Sequence, residues 1–296
     1  MLKQKPHAWA GLMLFIFLTG SPMLGQTEEE PKILGECQAS QLGEAPYSEW
    51  YSDTYETYEP HAGTVKALAG GGFEDLDVTV FFGTWCGDSR REVPRLAKIL
   101  DSVGFPAESR TLIAVDNTDE AIKRSPGGEE RGLEVYRVPT VIIRRDGHEI
   151  ARIVEHPVLS LERDLLAILN GDDYIANYGS YPQIREWLDD GLLSDPNVSP
   201  SGLANQLRSA VVSEGELAAV AAVLLSRGEG DAAVQLLRVN TRLFRDSASS
   251  YRRLANALLE SEQPDEARIA ARRALRLDPD AEETDRILEI LEKLDD

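Results

Sequence analysis

The chain has 296 residues, with 31 basic against 51 acidic side chains and a net charge of −20. That length can hold two domains of ordinary size, and so negative a surface repels phosphate backbones, which argues against nucleic acid as a partner. Two cysteines allow a single disulfide, so the fold must rest on packed cores rather than on covalent staples. Lys3 and Lys5 precede an apolar run from Ala8 to Leu18, followed by Gly20, Ser21 and Gly25 and then by Glu28-Glu29-Glu30. Residues 1–25 read as a secretory signal peptide, because the run is too short to cross a bilayer; a retained N-terminal anchor is the other reading. Cys37 stands well beyond the run with Glu36 before it, which does not fit a lipidation signal. Export, to the periplasm or as a secreted protein, is the expectation.

Residues 26–60 are polar and aromatic, with Tyr47, Trp50, Tyr51, Tyr55 and Tyr58 at partly helical spacing, and read as an extension packed on the first domain. Strand-like and helix-like segments alternate over 61–172, which favours an α/β sheet. Val78 to Phe82, Thr111 to Val115, Thr140 to Ile143 and Glu149 to Val154 are the strands, the last two joined by a turn at Asp146-Gly147. Helices are expected over Glu92–Leu100 and over 161–169, the latter with Ser160 as N-cap and Gly171 near its stop. Ser125-Pro126-Gly127-Gly128 reads as a loop. Residues 173–212 form a connector with a short helix through Trp187 ending at Gly191, then a breaker-rich stretch from Ser194 to Gly202.

From 213 the chain turns to Ala, Leu, Arg and Glu with helical periodicity, and it repeats. Leu217, Val220, Ala221, Leu224, Ala233 and Leu237 recur one repeat later as Tyr251, Leu254, Ala255, Leu258, Ala267 and Ala271, and Asp231 recurs as Asp265. Period and small-residue positions resemble tetratricopeptide repeats, helix pairs in which Ala lets neighbouring helices approach closely. Glu282 to Leu294 reads as a capping helix. Because two such units are few for stability, the connector helices are expected to pack here too.

The chemistry centres on Trp85-Cys86-Gly87-Asp88-Ser89, where the β-type run Val78–Phe82 delivers a cysteine to the start of a helical pattern. A helix N-terminus carries unpaired N–H groups and partial positive charge, which favours a thiolate. With Pro94 eight residues after the cysteine, Val138-Pro139-Thr140 downstream and Gly147 eight positions after Pro139, these residues resemble the thioredoxin superfamily over about 110 positions. The resemblance implies an α/β thioredoxin fold, here followed by an all-α tetratricopeptide-like helical repeat domain, in a bacterial envelope setting. It also implies a catalytic set of Cys86, Trp85, Ser89 and Pro139, a cis bond at Pro139 that holds Val138 beside the sulfur, and substrate contacts from Gly87, Asp88, Val138 and Thr140.

The departures matter as much. Ser89 stands where the family has its second cysteine, and Val80 where it has a buried aspartate. A mixed disulfide formed at Cys86 then needs another thiol for release: a small thiol, another redox protein, or Cys37 as a possible resolving thiol. The Ser89 hydroxyl could bond the sulfur, although a serine there also serves as a cap or faces solvent. Asp88 works against the thiolate, and Arg90 and Arg91 favour it. His7, His61, His148 and His156 lack metal-ligand spacing, so neither a metal nor a cofactor is expected. The resulting reading is monothiol thiol-disulfide exchange on protein or low-molecular-weight disulfides, resolved by an external thiol reductant, with a peptide or protein partner on the repeats. Its alternative is a non-catalytic binding or scaffold protein that uses the thioredoxin-like domain and the repeats for protein–protein interaction; a separate reading of Cys86 is an inert core cysteine. Peroxide reduction at Cys86 ranks last, for want of a threonine and arginine constellation.

Overall fold

A computed structural model describes residues 31–279 and 282–293; the expected signal peptide lies outside them. Five strands form one sheet in the order β1–β3–β2–β4–β5: β1 (Gly35–Cys37), β2 (Leu76–Phe82), β3 (Arg110–Ala114), β4 (Thr140–Arg145) and β5 (His148–Val154). β2 and β3 are parallel and joined through helix α4 (Gly87–Ser102), the crossover that a parallel pair requires. β4 pairs antiparallel with both β2 and β5, and β1 pairs antiparallel with β3. The four anticipated strands are all present. β1 was not anticipated: three residues carry no readable alternation, and the strand exists because the extension lies along β3, Cys37 opposite Leu112, before the single-turn helix α1 (Ala39–Leu42).

Adjacent residues of β2 supply two different cores, as period-two geometry demands. Val78, Val80 and Phe82 face one cluster, and Phe81 faces the other. The first cluster is closed by α2 (Ser48–Thr57), α3 (Ala62–Leu68), α4 and α5 (Leu161–Asn170), through Tyr51, Leu68, Val93, Leu96, Ile99 and Leu165. The extension's aromatics are thus packing groups: Tyr51 is buried, Tyr58 donates to Glu162 Oε2 at 2.9 Å, and Tyr55 donates to Asp101 Oδ2 at 2.7 Å. α4 is longer than the expected Glu92–Leu100 and starts at Gly87, with Pro94 inside it. α5 matches its expected limits, Ser160 Oγ capping the Arg163 N–H and Gly171 closing it in the left-handed conformation.

Among the described residues, the second face carries no helix from the sheet's own half of the chain. Residues 115–139 cross it as turns, and Val115, Val135 and Val138 cover Phe81, Ile113 and Ile142.

The remainder is helical: α6 (Tyr181–Asp189), α7 (Pro200–Leu207), α8 (Glu214–Ser226), α9 (Gly230–Leu243), α10 (Ala248–Glu260), α11 (Pro264–Leu277) and α12 (Glu282–Lys293). α8 and α10 begin 34 positions apart, at 214 and 248, and so do α9 and α11, at 230 and 264. The repeated positions are interior ones, Leu217, Val220, Ala221, Ala255, Ala267 and Ala271 all being buried. α7 begins inside the breaker-rich stretch Ser194–Gly202. Ser199 Oγ accepts from the Gly202 N–H and Pro200 occupies the first turn, where a missing N–H costs nothing, so this Ser-Pro pair starts a helix. Ile184, Trp187, Leu203 and Leu207 share one cluster with Leu217 and Leu237, so the connector helices do pack with the repeats. Glu216 fastens them: its Oε2 accepts from Ser180 Oγ at 2.9 Å, and its Oε1 accepts from the N–H groups of Val212 and Ser213.

Sheet and helices meet at residues 134–137. Tyr136, in the segment before β4, joins the helical cluster, edge-on to Tyr181 at 5.2 Å. Arg137 donates to Tyr181 Oη at 3.1 Å, to Glu155 Oε1 at 2.7 Å and to the Gly215 carbonyl at 2.8 Å, while its guanidinium lies 4.4 Å from the Tyr178 ring centre. Arg124 adds a bond to the Ser226 carbonyl at 3.0 Å.

Candidate functional site

Cys86 is the N-cap of α4, with extended backbone (φ −94°, ψ 123°), and its side chain accepts no bond from the first N–H groups of the helix. It is half-buried, and its Sγ donates to the Val138 carbonyl at 3.3 Å. The Val138–Pro139 bond is cis. Thr140 Oγ1 donates to the Arg137 carbonyl at 2.7 Å and Pro139 O accepts from the Glu155 N–H at 2.7 Å, which anchors the loop on both sides.

Trp85 packs with Cys86 against the Phe81 cluster. Its Nε1 donates to the Val115 carbonyl at 2.9 Å, and the ring lies so close over Gly83 that a Cβ there would meet Trp85 Cε2 at 2.4 Å. Only glycine fits at 83, a requirement that the sequence does not advertise. Gly87 is exposed beside the cysteine, with nothing near its absent Cβ.

Ser89 is fully buried and accepts from the Gly83 N–H at 3.2 Å. It neither caps the helix nor faces solvent, and among the described residues its hydroxyl is bonded at the strand-to-helix turn rather than to the sulfur. The flanking charges are also engaged: Arg91 donates to Asp88 Oδ1 at 2.7 Å and Glu92 Oε1 at 2.6 Å, while Arg90 Nε donates to the Thr84 carbonyl at 2.6 Å.

Cys37, the other thiol, is free and lies in the helix-covered core, beside Leu112 and Val80, whereas Cys86 packs against the opposite cluster. Burial, with a smaller contribution from Glu36, pushes its thiol up to about 11. For Cys37 to meet Cys86, β1 would have to leave the sheet.

Two groups that sequence reasoning missed border the site. Lys123 holds its ammonium 4.3 Å from the Trp85 ring centre and has left-handed backbone (φ 59°). A pair of backbone bonds keeps it there, Lys123 N to Asp116 O and Asp116 N to Arg124 O, both 2.9 Å. Nothing in Asn117–Ser125 has a period or motif that would single it out. Arg137, next to Val138, is the second.

Beyond them a groove of about 510 Å³ runs between the loop at Asp119–Ile122 and helices α8 and α10, lined by Ile122, Arg137, Ala218, Ala222, Arg253 and Asn256. Glu260 on its wall is held above the ordinary carboxylate range by burial and then by Asp119. Among the described residues no group of His, Cys, Asp and Glu is arranged to hold a metal ion. Residues 248–281, which include α10 and α11, match the tetratricopeptide repeat family model. Such repeats stack into surfaces that bind other proteins, so the helical part points to protein–protein interaction.

Proposed function

We propose that the chain performs monothiol thiol-disulfide exchange through Cys86 on a sheet of the thioredoxin type, with the helical repeats recruiting the protein partner, in the cell envelope after export. The carrying observation is the Cys86 sulfur at a helix N-terminus beside the Val138 carbonyl, half-buried and thus reachable. The β2–α4–β3 crossover followed by the β4–β5 hairpin and α5 supports the fold assignment, and the groove shared by the site's own loop and the repeats supports recruitment.

In the exchange, Cys86–S⁻ attacks one sulfur of R–S–S–R′, forming Cys86–S–S–R and releasing R′–S⁻, which takes a proton from water. Ser89 has no thiol and Cys37 is walled off, so an external thiolate R″–S⁻ must attack the R sulfur, releasing Cys86–S⁻ and forming R–S–S–R″.

Incubation with oxidised glutathione, read by mass spectrometry, tests this. A mixed disulfide on Cys86, absent in Cys86→Ser and persisting until thiol is added, is expected; no adduct on the native protein overturns the reading. The scaffold alternative is favoured by the repeat match alone, and it prevails if Cys86→Ala captures the same partners as the wild type.

A further inference from the structure

Lys123 is a half-buried ammonium with no ion pair among the described residues, lying 4.3 Å from the ring centre of Trp85, the residue that precedes Cys86. A cation taken partly out of water without a carboxylate is unfavourable unless another negative group compensates it. Burial, the dominant influence, lowers its pKa, and Cys86 is the first of the influences that raise it. The other charges facing it are Arg137 and Glu155, which bond each other at 2.7 Å and so largely cancel; His156 stands 3.9 Å from Glu155, and Asp88 is held by Arg91.

We propose that Lys123 is the counter-ion of the Cys86 thiolate, stabilising charge on that sulfur before it attacks a disulfide and again when it departs as leaving group. Lys123 keeps its proton throughout; it acts by field, from a position imposed by the left-handed turn and the Trp85 ring. The thiolate and the ammonium stabilise each other by the same free energy, so either can be read from the other. This inference rests on the exchange chemistry proposed above.

The test is the pH dependence of Cys86 alkylation by iodoacetamide in the full chain, resolved by peptide mass spectrometry. In Lys123→Met the rate–pH profile should move upward by about one unit, so that labelling at pH 6 falls about tenfold, and Lys123→Arg should restore most of it. Superimposable profiles for all three proteins would overturn the proposal. Should Lys123→Met not fold, Cys86→Ala serves instead, since loss of the thiolate must lower the Lys123 pKa and quicken its acetylation by acetic anhydride at pH 8.5. Unchanged acetylation likewise refutes the pairing. Glutathione adducts on Cys86 with no Lys123 coupling would sink the counter-ion while leaving the exchange reading intact; coupling without adducts would do the reverse.

Discussion

Phe81 and Phe82 are neighbours in β2, both fully buried, yet they look into cores built on different principles. Phe82 lies under four helices whose apolar faces repeat every third or fourth residue. Phe81 lies under a run of turns, held by backbone bonds and by the helical repeats fastened at Arg137. The first surface is regular and carries a thiol that burial keeps neutral. The second is irregular and carries the one placed at a helix N-terminus. The sulfur assigned to the proposed exchange thus lies on the side of the sheet covered by turns rather than by packed helices.

The sharpest way to break that contrast is to truncate each phenylalanine. Phe81→Ala and Phe82→Ala should each cost about 3–5 kcal/mol in denaturant unfolding, both leaving large cavities. Only Phe81→Ala should also change the native-state alkylation rate of Cys86, because Trp85 and Cys86 pack on its cluster. Equal effects on labelling would mean that the two cores are not separate environments.

Next in size is the joint. Arg137→Ala removes charged bonds to Tyr181, Glu155 and Gly215 and should cost about 2–3 kcal/mol, measured by thermal unfolding, with partial separation of sheet and helix transitions. A single undisturbed transition would show that Tyr136 packing alone holds the parts together.

Cys37 gives the pH test. Its thiol is raised from 9.0 to about 11 in the folded protein, so the folded state favours the neutral form more than the unfolded state does. That stability is fully present below about pH 9 and is lost as pH climbs towards about 11, about 1–2 kcal/mol after solvent screening. Wild type should therefore lose more stability than Cys37→Ala between pH 8 and pH 10.5; parallel losses would contradict it. Smallest is Tyr55→Phe, which deletes an exposed bond to Asp101 and should cost about 0.5 kcal/mol in the same unfolding assay.

The helix-covered face was legible in the sequence because its information is periodic. Val78–Phe82, the α5 cap and stop, and the repeat from Leu217 to Ala271 can each be read from spacing. The position of Cys86 at a strand-to-helix turn was legible for a similar reason. What escaped depends on contacts distant in sequence: β1 is a strand only because β3 accepts it, Ser89 is oriented by Gly83, and Lys123 matters only because its turn folds back over Trp85. The start of α7 is also local in the sequence, since Pro200 after Ser199 signals entry into a helix as readily as an interruption.

Glu216 bears on how the molecule can be divided. Its carboxylate reaches back across the repeat boundary to Ser180, and Trp187 shares a cluster with Leu217, so a fragment begun at Ser213 would strip both a buried acid and the first hydrophobic layer of their cover. A self-supporting helical fragment should instead begin near Gly179, ahead of α6, because the stretch read as a connector supplies part of the core of the array.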